Sequence, residues 1–69
     1  MKSTFNGAKL KQERIAHGYT TQDKMSKDLW HKFDVFITAQ SIKNHEDGVH
    51  EPRMSIVLDY AKFFGVDIN

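Results

Sequence analysis

The sequence contains no cysteine, a single proline and no apolar run long enough to cross a bilayer. Without thiols, neither a disulfide nor a thiolate metal site can hold the fold. The start of the chain lacks an apolar stretch of signal-peptide length, so a cytoplasmic protein without membrane contact is expected. Repeats and low-complexity tracts are also missing. No Gly-rich phosphate loop is present, and no carboxylate or hydroxyl set has a recognisable catalytic spacing, so neither an enzyme nor a binder of a small-molecule substrate is expected. The four histidines, His17, His31, His45 and His50, invite a metal hypothesis. His45 and His50 are five apart, however, which does not align two ligands on one helix, so no metal and no cofactor are expected.

What remains is a chain of 69 residues, enough for one domain. A domain of that size buries only about 60% of its unfolded surface, so its core is small and association with a partner would help it. The net charge is +1, unevenly spread: residues 1 to 32 hold seven Lys/Arg against three Asp/Glu, and residues 33 to 69 hold three against six. Nucleic-acid binders are usually basic where they dock.

Helix signals run the length of the chain. A first helix is predicted from about Gly7 to His17, capped by Asn6 and stopped by Gly18, with Leu10 and Ala8 facing inward and Lys2, Lys9 and Lys11 in water. Arg14 shares a face with Leu10, which is unusual for a charge unless it finds a partner inside. Thr21 opens a second helix with Met25 and Leu29 in i, i+4 register. Gln22 is expected to be exposed in its first turn, where helix N-termini attract phosphate. Asp23 suits the same helix dipole without any ligand.

Leu29 to Ile37 is the most apolar stretch. Trp30, Phe33 and Phe36 are spaced by three, and one helical stripe would gather them if the helix continues past Leu29. Such a stripe is ordinarily core, and the alternative is a partner-binding surface, where aromatic anchors are favoured. A third helix follows between the caps Thr38 and Gly48. Ile42 and His45 mark one side, and Ala39, Gln40, Lys43 and Asn44 form a mostly polar opposite side. Composition alone favours a solvated face, yet Gln and Asn carry the amides that can give and take a hydrogen bond together, as the adenine edge requires. Pro52 suits the first position of a fourth helix running through Met54, Val57, Leu58, Ala61 and Phe64 to Gly65, with its apolar face on the first and third helices. Val66 and Ile68 beyond it are expected to pack back or to help form a homodimer.

Two short helices in succession, the second with an amide-rich face, suggest a helix-turn-helix. The string Thr38-Ala39-Gln40-Ser41-Ile42-Lys43-Asn44-His45-Glu46-Asp47-Gly48, then Glu51-Pro52-Arg53 and Ala61-Lys62-Phe63-Phe64-Gly65-Val66, resembles the Cro and lambdoid-repressor helix-turn-helix family. The resemblance covers the chain from Leu10 to Val66. It implies an all-α, compact domain of four to five helices, with an insertion between helices 2 and 3.

The same resemblance implies roles. Gln22 falls on a DNA-contacting position, Ala39, Gln40, Lys43 and Asn44 on the base-reading side of the third helix, and Lys27 and Arg53 near phosphates. Arg14 and Glu46 match positions that form an internal salt bridge in some members, and His45 falls where the family often packs an aromatic. Three departures matter: the inserted Trp30 to Phe36 segment is expected to move or cover the reading helix, while Asp47 in place of the family's Asn, and Val49, His50 and Glu51 in place of basic residues, weaken phosphate binding.

Two functions are therefore expected. One is a small bacteriophage-type regulator of transcription, dimeric and working in the bacterial cytoplasm, whose third helix reads double-stranded operator DNA. The other is an antirepressor that binds the basic DNA-binding domain of a partner repressor through Trp30, Phe33 and Phe36 and the acidic half of the chain. An antitoxin that binds its own operator would look similar.

Overall fold

The computed structural model describes residues 5–66; Lys2 and Ile68, to which the sequence assigns solvent and packing roles, lie outside the described residues. Four helices make up the described chain: α1 (Gly7–Ala16), α2 (Gln22–Phe33), α3 (Ala39–Asp47) and α4 (Met54–Phe64). No strand occurs among the described residues, and none of their helices is long and apolar enough to cross a membrane.

Local chemistry explains the helix starts. Side-chain oxygens of Asn6, Thr21 and Thr38 accept the backbone N–H three residues on, from Lys9, Lys24 and Ser41, at 3.0, 3.2 and 3.1 Å. Each bond satisfies a donor that the first helical turn leaves unpaired. At the end of α3, Gly48 adopts φ +76 and the Val49 N–H returns to the Asn44 carbonyl at 2.9 Å. That left-handed closure favours glycine because a Cβ would crowd the carbonyl. Helix α2 closes the same way on a non-glycine residue, Asp34 at φ 58, one of the few side chains that tolerate this region.

Leu10, Met25, Leu29, Ile37, Ile42, Tyr60 and Phe64 form one buried cluster to which all four helices contribute. The radius of gyration, 10.8 Å, is close to the ~11 Å expected of a folded chain this long. Three inward assignments from the sequence are corrected. Ala8 is exposed, and Gly7 takes the close position instead: a Cβ on Gly7 would lie 2.4 Å from the His45 carbonyl oxygen and 2.6 Å from that of Glu46. Only glycine lets the start of α1 approach the backbone of α3 so closely. Met54 and Leu58 are 61% and 58% exposed, because the inward stripe of α4 is Val57, Tyr60 and Phe64. Pro52 is buried but stands before the N-cap, Arg53, and does not occupy the first helical position.

Candidate functional site

A buried polar knot holds α1, α2 and α3 in register. Arg14 Nε donates to Glu46 Oε2 at 2.6 Å, with side-chain exposures of 4% and 1%. The guanidinium also donates through Nη2 to Glu46 Oε1 at 3.3 Å and through Nη1 to the Tyr19 carbonyl at 2.8 Å. Gln22 Nε2 adds a third donor to Glu46, 3.1 Å from Oε1. The expectation that Gln22 stands free in solvent is thus corrected. It is half-buried, and its amide is turned toward a carboxylate 24 positions on. A buried carboxylate needs its lone pairs filled, and α2 supplies the missing donor from its first turn. Among the described residues every buried side-chain nitrogen or oxygen has a hydrogen-bond partner.

A second clamp, unread in the sequence, joins the α1–α2 turn to α2. The Tyr19 hydroxyl donates to Asp28 Oδ2 at 2.6 Å. Burial and the neighbouring carboxylate push the Tyr19 hydroxyl up to about 12. The same bond, helped by Lys32 at 3.3 Å, lowers Asp28.

The outer side of α3 carries Gln40 and Lys43 exposed, with Ala39 and Asn44 half-buried beside them. Gln40 Nε2 donates to Asn44 Oδ1 at 3.1 Å, which leaves Gln40 Oε1 as an acceptor and Asn44 Nδ2 as a donor, one turn apart. The cations nearby are matched on their own helices. Lys43 Nζ lies 2.7 Å from Asp47 Oδ2, and this hydrogen bond raises Lys43 and lowers Asp47. Lys27 Nζ lies 3.3 Å from Asp23 Oδ2. Exposed pairs of this kind contribute little to stability, but each offsets a positive charge on the surface. Arg53, at the start of α4, has no ion-pair partner among the described residues.

Helix α2 continues through Trp30 and Phe33, so the first part of the insertion is one more helical turn. Asp34 then breaks it, and a connection without regular secondary structure runs to Thr38. Ser26 Oγ donates to the Ile37 carbonyl at 2.6 Å and pins that connection. In that connection Ile37 turns in, 4% exposed, while Phe36 turns out, 75% exposed. The core reading of the aromatic stripe is corrected accordingly: Trp30 is 49% and Phe33 43% exposed. The three do not act as one. Trp30 and Phe36 meet edge to face, with centroids 5.7 Å apart at 80°, whereas Phe33 leans on Phe63 of α4 at 5.3 Å. Phe36 also walls a groove of about 440 Å³ between α3 and the α3–α4 connection, lined in addition by Ser41, Asn44, His50, Arg53 and Ile56. Phe36 and Asn44 of the outer side of α3 thus line the same groove.

Of the four histidines, His45 is buried, and its Nδ1 lies 2.7 Å from the Tyr60 hydroxyl. Burial, with His50 nearby, holds His45 below its ordinary value of 6.5. The unfolded chain then binds the extra proton more readily than the folded one. His45 thus contributes stability that is complete above about pH 6.5 and is lost as pH falls toward its lowered folded value. The urea midpoint is expected to fall between pH 7 and about 5.5, and His45→Gln should flatten that slope; an equally steep slope in the variant refutes the assignment. Among the described residues no three His, Asp or Glu side chains gather as a metal site.

Comparison with protein-family models, curated proteins and solved structures finds no match to this chain.

Proposed function

We propose that this chain is a small regulator of transcription of the Cro and lambdoid-repressor helix-turn-helix type, and that it acts as an antirepressor. In this reading the Trp30–Phe36 pair and the adjoining side of α3 dock on the DNA-binding domain of a partner repressor in the cytoplasm of a bacterial host, altering its hold on operator DNA. The observation that carries it is the exposed aromatic pair, its connection pinned by the Ser26–Ile37 hydrogen bond, near a helix face whose lysine is already matched by Asp47. Solvent-exposed Trp and Phe at a fixed spacing are the anchors that protein interfaces use. A face with neutralised cations suits a basic protein surface better than a phosphate backbone. The reading assigns no reaction to the chain.

A second reading has its own observation in favour. Gln40 and Asn44 stand side by side and together offer the acceptor and donor that an adenine edge takes. On that reading α3 enters the major groove of an operator, with Lys43 and Ala39 beside the amides and Lys27 and Arg53 toward phosphates. Gln22 is engaged by Glu46 and would have to exchange that bond for a phosphate.

A gel-shift titration on the promoter region of the chain's own gene separates the two. The protein is added alone and with the neighbouring repressor, at low and physiological salt. The antirepressor reading expects no selective shift by the protein alone and a changed repressor shift on its addition. Tight, sequence-selective binding by the protein alone, weakening steeply with salt, overturns it in favour of operator reading.

A further inference from the structure

Helix α4 is apolar on two sides, and among the described residues only one of them is buried in the core. Val57, Tyr60 and Phe64 face the core, whereas Met54, Leu58, Ala61 and the C-cap Gly65, just beyond the helix, follow one another at spacings of four, three and four along another side. That interval is the seam spacing of paired helices. Met54 and Leu58 project from it, 61% and 58% exposed. Ala61 and Gly65 instead leave a shallow groove of about 550 Å³, flanked by Leu58, Lys62 and Val66.

We infer that this seam is the contact between two copies of the chain, with the α4 helices antiparallel about a two-fold axis. The argument is one of order along the helix. The seam runs large, large, small, small, and reversal of one copy brings Met54 opposite Gly65 and Leu58 opposite Ala61, twice over by symmetry. Each projecting side chain then enters the groove left by the small residues of the second copy. A parallel pair would set Met54 on Met54 and Gly65 on Gly65, crowding one end and leaving a void at the other. Charge agrees with the reversed order, since Lys62 comes to lie near Ser55 and Asp59 of the second copy. Phe63, which meets Phe33, lies on roughly the opposite side of α4 from the seam. Pairing of this kind leaves the Trp30–Phe36 surface free, and it stands whether or not the antirepressor reading does.

The seam is ~16 Å long at 1.5 Å per residue, so the contact falls in the small, weak class of interfaces and association is reversible. Sedimentation equilibrium of the whole chain from about 10 µM to about 1 mM should show the average mass climbing from one chain toward two. Leu58→Glu should hold it at one chain across the whole range, and Met54→Glu, at an equally exposed position, should do the same if Leu58→Glu disturbs the helical circular dichroism. Because the chain has no cysteine, orientation is read directly by oxidising an equimolar mixture of Leu58→Cys and Ala61→Cys chains. The antiparallel seam gives mainly the mixed disulfide. A wild-type chain that stays monomeric at about 1 mM, dimers that survive both glutamate substitutions, or cysteine variants that each link chiefly to themselves would overturn the inference.

Discussion

Replacing Glu46 by alanine is expected to lower the unfolding free energy by about 3 to 5 kcal/mol, the cost of leaving one member of a buried ion pair alone. A chain of 69 residues at ~0.05–0.15 kcal/mol per residue holds only about 3–10 kcal/mol in total, so the variant should be largely unfolded or close to it. The reason lies in what remains. Arg14, with its side chain 4% exposed, would keep the Tyr19 carbonyl but lose both bonds to the carboxylate, and the Gln22 amide would lose its acceptor as well. Burial of this depth leaves little screening by solvent, so the discount that applies to the exposed Lys27–Asp23 and Lys43–Asp47 pairs does not apply here. Urea denaturation followed by circular dichroism measures the loss directly. A paired replacement, Arg14→Met with Glu46→Leu, removes both charges and should recover most of the stability, because buried ion pairs are often matched by apolar groups of similar volume. If Glu46→Ala costs less than about 1 kcal/mol, the knot does not hold the three helices together and that account of the fold is wrong.

The ends of the helices were readable because capping is a local event. Asn6, Thr21, Thr38 and Gly48 act within three to five residues of themselves, and the structure uses each of them as a cap or as the residue just beyond one. What the sequence concealed was which of two adequate faces turns inward. In α4 both the Met54, Leu58, Ala61 series and the Val57, Tyr60, Phe64 series are apolar at helical spacing, so periodicity alone could not choose. The choice falls to a contact across the molecule: the Tyr60 hydroxyl meets His45 at 2.7 Å only if that side faces the core. Trp30, Phe33 and Phe36 were concealed for a related reason. Their spacing by three reads as one stripe if α2 runs on, but Asp34 adopts a left-handed backbone that ends the helix, and Phe36 beyond it points outward. Gln22 differs again. Its position at the start of α2 was plain, whereas its partner, Glu46, is distant in sequence and came into view only with the packing of α2 on α3. Gly7 carried no signal beyond a helix start, since the carbonyls of His45 and Glu46 that exclude a side chain there belong to another helix.

Under the proposed antirepressor reading, removing the indole of Trp30 or the ring of Phe36 is expected to weaken binding to a partner repressor by about 30-fold or more each, the ~2 kcal/mol that marks an anchor residue. Stability should change little, because Phe36 is 75% and Trp30 49% exposed and the two rings meet edge to face. Phe33→Ala makes a poorer probe: its ring rests on Phe63, and loss of that contact would lower stability along with binding. The opposite pattern is expected of the α3 amides. Gln40→Ala and Asn44→Ala should leave repressor affinity within a few-fold, whereas under direct operator reading each would cost about 1 to 3 kcal/mol of specific DNA affinity. Calorimetric titration of the repressor's DNA-binding domain with each variant, alongside a thermal melt of that variant, keeps binding separate from folding. Trp30→Ala and Phe36→Ala chains that melt normally and still bind the repressor with wild-type affinity would remove the aromatic pair from the interface. The balance would then pass to the operator reading, in which the acceptor of Gln40 and the donor of Asn44 meet an adenine edge.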